Sequence, residues 1–141
     1  MSRVFWDAML LVYLLENHKT YFPRITSLLA RCYQRNDVLL TSYLALAEVL
    51  VGMPQGSPAA KTLLTTIEEM GFTFVEFNGD AVEPFRVLRS QFRLKAPDAM
   101  HLACAASART DLFLTGDKEL LRKNLHVPGV QFVADFENAP L

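Results

Sequence analysis

Five short apolar runs punctuate this chain, and stretches of helical spacing separate them. Val4-Phe5-Trp6, Val38-Leu39-Leu40, Thr73 to Phe77, Leu112 to Thr115 and the segment around Val130-Gln131-Phe132 are rich in strand formers and predict strands. Between them, Met9, Leu10, Val12, Tyr13 and Leu14 mark a first helix. Ile25, Leu28, Leu29 and Cys32 form the apolar stripe of a second, over Pro23 to Arg35, with Arg24, Arg31 and Arg35 turned outward. A third, Tyr43 to Val51, has Thr41 or Ser42 as its cap and Gly52 as its stop. Ser57-Pro58 reads as N-cap and first position of a fourth that ends near Met70-Gly71. Further helices are expected over Asp80 to Gln91, from Pro97 to Arg109, and over Lys118 to Lys123.

Apolar strands separated by helices have the βαβ rhythm of an α/β fold, a parallel sheet covered on both faces. The 141 residues contain no internal repeat and no low-complexity segment, and Met53 to Pro58 is the one clear loop, so a single domain over 1–141 is expected.

The segment from Leu94 to Ala106 organises the rest. Pro97 suits the first helical position, where a missing N–H costs nothing, so Asp98 falls in the first turn, where the helix dipole favours a carboxylate. Ala99, Ala103, Cys104, Ala105 and Ala106 are small enough for the helix to lie close against the sheet. Asp98 is thereby held at a buried edge.

Composition narrows the class. At 51% hydrophobic and 21% charged residues the chain is globular and slightly apolar, with surface to spare for a partner. No uncharged apolar window reaches the roughly 18 residues of a membrane span. Asp7, Glu16 and His18 flank the apolar run after Arg3, and no small-residue cleavage site follows, which argues against a signal sequence. A soluble, cytoplasmic protein is expected. Cys32 and Cys104 have neither Cys-x-x-Cys nor histidine spacing, so they read as core thiols. His18 and His126 read as surface or loop residues, and His101 as a residue that packs or caps locally.

The acids carry the chemistry. Asp7 follows the first strand and Asp117 the fourth; if those strands are parallel neighbours, both carboxylates share one rim of the sheet, where such folds gather their functional groups. Asp98 and Glu48 reach that rim from helices, and Glu48 is the only acid between Asp37 and Glu68, inside the apolar run Leu44 to Val51. Crowded carboxylates must take up protons or cations. Oxygen ligands without His or Cys suit Mg²⁺ or Mn²⁺ and phosphodiester chemistry. Thr115 reads as a supporting hydroxyl near Asp117, and Asp111 as a turn acid. Each site acid also has a plain structural reading: Asp7 ending a strand, Glu48 pairing with an arginine, Asp98 as a first-turn acid, Asp117 capping the short helix.

Four blocks stand in order: Val-Phe-Trp-Asp7, Leu-Ala-Glu48-Val-Leu-Val-Gly, Leu-Lys-Ala-Pro-Asp98-Ala-Met-His-Leu-Ala and Leu-Phe-Leu-Thr-Gly-Asp117. Together they resemble the PIN domain family, specifically its VapC-like ribonuclease toxins, over almost the whole chain. The resemblance implies an α/β/α sandwich with a parallel five-stranded sheet and a Mg²⁺ or Mn²⁺ site on Asp7, Glu48, Asp98 and Asp117. It further implies endoribonuclease activity, a homodimer, and an antitoxin partner that covers or plugs the site. Ala8 departs from the pattern, since the family often has Ser or Thr after the first aspartate.

Net charge is −1, which by itself disfavours a nucleic-acid binder. Setting aside the four candidate ligands leaves 11 of the 15 acids against 14 bases, a balance of +3. Arg86, Arg89, Arg93 and Lys95 form a run without acids, with the three arginines on one helical face leading towards Asp98; they hold RNA phosphates or, alternatively, pair with Glu83 or Glu76. A haloacid-dehalogenase-type phosphatase would want a second acid two residues after Asp7, and Met9 stands there. The remaining alternative is a non-catalytic PIN-like scaffold that only binds another protein.

Overall fold

The computed structural model describes residues 1–141. Its sheet has five strands, β1 (Arg3–Trp6), β2 (Val38–Ser42), β3 (Phe72–Val75), β4 (Thr110–Thr115) and β5 (Val130–Asp135), all parallel, in the order β3-β2-β1-β4-β5. The chain builds outward from β1 to β3, then crosses back to lay β4 on the other side of β1. Strand order therefore reverses between β1 and β4, which is where open α/β sheets place their ligands.

Side-chain alternation along the strands feeds two cores. Val4, Trp6, Leu39, Phe72, Leu112 and Leu114 face one layer, made by α1 (Ala8–Leu15), α2 (Phe22–Arg35), α3 (Tyr43–Val51) and α4 (Pro58–Glu69). Phe5, Leu40 and Phe113 face the other, made by α5 (Gly79–Ser90), α6 (Ala96–Ser107) and α7 (Lys118–Arg122). These three layers are the expected α/β/α sandwich. In α6, Ala99 and every residue from His101 to Ala106 are buried, because small side chains let its backbone settle against both sheet and helices.

Several local expectations are settled or corrected. Ser42, not Thr41, caps α3: Ser42 Oγ accepts from Ala45 N at 3.0 Å, while the Thr41 hydroxyl donates to Trp6 O at 3.0 Å. Ser57 is the N-cap residue of α4 and Pro58 its first position, as expected, but the serine side chain makes no capping hydrogen bond. Pro97 lies one position inside α6, which opens at Ala96, still in the turn whose N–H groups have no intrahelical acceptor. β3 stops at Val75, two residues early, because its only neighbour β2 ends at Ser42, opposite Val75, and turns into α3. Asp111 is no turn acid; it lies inside β4 and its Oδ2 accepts from Arg3 N at 2.7 Å. No helix is long and apolar enough to cross a membrane.

Candidate active site

Asp7 leaves β1 beside the end of β4. Its N–H donates to Leu114 O at 3.0 Å, Oδ1 caps α1 by accepting from Ala8 N at 2.8 Å, and Oδ2 accepts from the Thr115 hydroxyl at 2.8 Å. Thr115 is fully buried and also accepts from Asp117 N at 3.1 Å. Asp117 in turn caps α7, Oδ1 accepting from Glu119 N at 2.9 Å and Leu120 N at 3.3 Å. Both aspartates therefore do structural capping, yet each carboxylate retains free lone pairs.

Asp98 sits in the first turn of α6 and accepts no hydrogen bond from the protein. Burial pushes its carboxyl above the usual carboxylate range, and the charges of Asp117 and Asp7 push it further, against opposing pulls from His101 and Lys95. Asp98 thus feels the charges of both other aspartates at the β1/β4 switch point, and Asp98 and Asp117 line one cleft of about 310 Å³. Glu48 is not among the charges that act on Asp98. Its side chain is 41% exposed and both carboxylate oxygens lie 3.3 Å from His101 Nε2.

No three acid, histidine or cysteine side chains converge into a ready-made metal cage. The donor set still fits Mg²⁺ or Mn²⁺. Such ions keep several waters and need only one or two protein carboxylates, and the unpartnered Asp98 is repelled by two others.

The basic run divides. Arg86 is spent on Glu83, to which its Nε donates at 2.9 Å. Arg89 donates to Leu94 O at 2.9 Å and so holds the turn between α5 and α6. Arg93 lies beyond α5 with φ 55°, so the three arginines do not share one helix, although all three line one open concavity with Val82, Phe85 and Leu94. Arg93 and Lys95 line the cleft of Asp98 and Asp117, and Lys123 joins them from the end of α7, its Nζ donating to Phe92 O at 3.2 Å.

Two residues escaped sequence reasoning. His101 packs, as expected, rather than capping locally, but its partners across the fold, Ser42 and Glu48, were not foreseen. Its spacing of three from Asp98 on one helix was the available signal. Lys123 carried no such signal, since only the packing of α7 beside the Phe92 turn brings it to the cleft.

The sequence model of the PIN domain family matches residues 4–124, from β1 through α7. Among curated proteins, no sequence matches. Among solved structures, a chain of the crystal structure of VapBC2 from Rickettsia felis bound to a DNA fragment from their promoter is similar at TM-score 0.66 and 16% identity, over 94% of this chain and 97% of that one. A chain of a toxin-antitoxin complex from Klebsiella pneumoniae gives 0.64 and 23%, over 90% of this chain and 94% of that one. A chain of VapBC-5 from Mycobacterium tuberculosis gives 0.52 and 19%, over 71% and 82%. At such identities the likeness is one of fold. The family match is independent of it and spans the sheet's switch point and all four candidate acids, and on that match the chain belongs to the PIN domain family.

Proposed function

We propose that this protein is a Mg²⁺- or Mn²⁺-dependent endoribonuclease and the toxin of a toxin–antitoxin pair. The observation that carries the reading is the trio Asp7, Asp98 and Asp117 at the switch point, where burial and the charges of Asp117 and Asp7 leave the unpartnered Asp98 carboxyl ready for a cation. Membership of the PIN family and a fold shared with chains of toxin-antitoxin complexes support the toxin assignment.

Asp7, Asp98 and Asp117 would hold the ion, with Glu48 holding it through water or orienting the attacking water. A bound divalent ion supplies a water of lowered pKa and offsets the charge building on the attacked phosphate. Thr115 fixes the rotamer of Asp7 through its 2.8 Å hydrogen bond. Arg93, Lys95 and Lys123 face the acids from the rest of the cleft and take the phosphates flanking the scissile bond. A cognate antitoxin covers this cleft, and a second copy pairs with the chain in the cytoplasm. Exposed Tyr43, Val51, Phe77 and Val82 offer apolar area for such partners.

The test is cleavage of a mixed RNA pool by purified protein with Mg²⁺ or Mn²⁺, with chelator, and with Asp98→Asn. Cutting that requires metal and vanishes in the variant is expected. Folded wild-type protein that neither cuts RNA nor gains melting temperature with either ion overturns the reading in favour of a protein-binding scaffold.

A further inference from the structure

We infer that His101 is a positioning residue for Glu48, and that Ser42 dictates which ring nitrogen faces it. The ring is buried, 3% exposed, with both nitrogens engaged. Nδ1 lies 3.0 Å from Ser42 Oγ, and Nε2 lies 3.3 Å from both oxygens of Glu48.

Ser42 Oγ already accepts from Ala45 N as the cap of α3, so its hydroxyl proton is free to be donated. Donated to Nδ1, it leaves the hydrogen of the neutral ring on Nε2, pointing at the carboxylate. The other tautomer would set a bare Nε2 lone pair against a carboxylate and leave the serine proton without an acceptor. A ring carrying both hydrogens still donates from Nε2. In every tenable state, then, His101 donates to Glu48.

The consequence is geometric. Glu48 lies on α3 with an exposed side chain, and left alone it would sample solvent rotamers. His101 lies one turn after Asp98 on α6. The contact therefore fixes Glu48, on a different helix, relative to Asp98. Ser42 anchors the ring from the start of the helix that bears Glu48, so α3 and α6 are tied at two points.

That Glu48 serves a metal site rests on the nuclease reading; the pairing itself does not. Two measurements on metal-free protein test the pairing. Nitrogen-15 NMR of the histidine rings should find a hydrogen on Nε2 of His101, and Glu48→Gln should shift that Nε2 resonance; a bare Nε2, or a resonance indifferent to Glu48, overturns the proposal. The service to the site is read from Mn²⁺ titrations followed by melting temperature. His101→Asn reaches only the Nδ1 position, whereas His101→Gln places an amide nitrogen near that of Nε2. The Asn variant should need roughly tenfold more Mn²⁺, as loss of a group orienting a ligand commonly does. The Gln variant should stay close to wild type, and His101→Asn should add nothing in a Glu48→Gln background. Equal Mn²⁺ dependence of the Asn and Gln variants overturns the positioning role. Wild-type protein that binds no Mn²⁺ overturns the metal-site reading instead, and leaves the pairing to be decided by the NMR result.

Discussion

The Thr115 hydroxyl donates to Asp7 Oδ2 at 2.8 Å, tying together the ends of two adjacent parallel strands where both candidate acids leave the sheet. Thr115 Oγ1 also accepts from Asp117 N at 3.1 Å, so one buried hydroxyl sets two acids. Thr115→Val keeps the shape and deletes the hydroxyl, leaving a carboxylate oxygen and an N–H unpaired. Such orphaned groups cost about 1–3 kcal/mol, so the melting temperature should fall by several degrees, with Thr115→Ser recovering most of the loss. A thermal melt decides it; an unchanged melting temperature in Thr115→Val would show that the bridge contributes nothing.

Asp98 predicts a pH dependence. Burial, then Asp117 and Asp7, raise its folded-state pKa above the unfolded value. For a group raised in this way, the stability it contributes is fully present below the unfolded pKa and is lost as pH rises through the folded one. Ionised Asp98 therefore weighs against folding at neutral pH. Asp98→Asn, free of divalent ions at pH 7, should melt above wild type, and the gap should close below about pH 4, where an unperturbed carboxyl is protonated. With Mg²⁺ the order should reverse, because only wild type gains stability from the ion.

The sandwich was legible because its signals are local. Alternating Phe5 between Val4 and Trp6, or Leu40 beside Leu39, states which face each side chain takes, and Pro58 and Pro97 mark where helices open. The rim shared by Asp7 and Asp117 followed from placing acids directly after strands. Contacts set by crossing helices were not legible. Glu48 meets His101 across 53 positions, and nothing in either segment announces the other. The three arginines do line one concavity, but not as one helical face: Arg93 takes a left-handed conformation after α5 has ended, which helical periodicity does not foresee.

The basic residues should separate by salt dependence. If Lys95 and Lys123 contact phosphates in the cleft, Ala at either position weakens RNA binding and lowers the slope of log affinity against log salt by about 0.7 for single-stranded RNA. Arg86 is already paired with Glu83, so Arg86→Ala should leave the slope unchanged. Fluorescence anisotropy with the uncleaving Asp98→Asn protein measures all three. Equal slopes for wild type and both lysine variants would remove the cleft from the binding surface.

Two glycines should answer the same substitution differently. A Cβ at Gly129 would lie 2.3 Å from Ala106 O, a backbone atom in the end of α6, and φ there is +98°, so neither neighbour nor dihedral yields cheaply. At Gly116 a Cβ would meet Met9 Sδ and Phe136 Cε1, both at 2.9 Å; the methionine end can swing aside, while the buried Phe136 ring must shift, but no backbone atom stands in the way. Gly129→Ala should thus cost more stability, on the order of 2 kcal/mol or above. Gly116→Ala should cost less, but it stands between Thr115 and Asp117, and any shift there moves a hydroxyl and a carboxylate of the site. Paired melts and cleavage assays should therefore cross over: Gly129→Ala the less stable and, below its melting temperature, fully active; Gly116→Ala the more stable and several-fold slower. Loss of activity in step with loss of stability at both positions would mean that the loop after β4 does not place the acids.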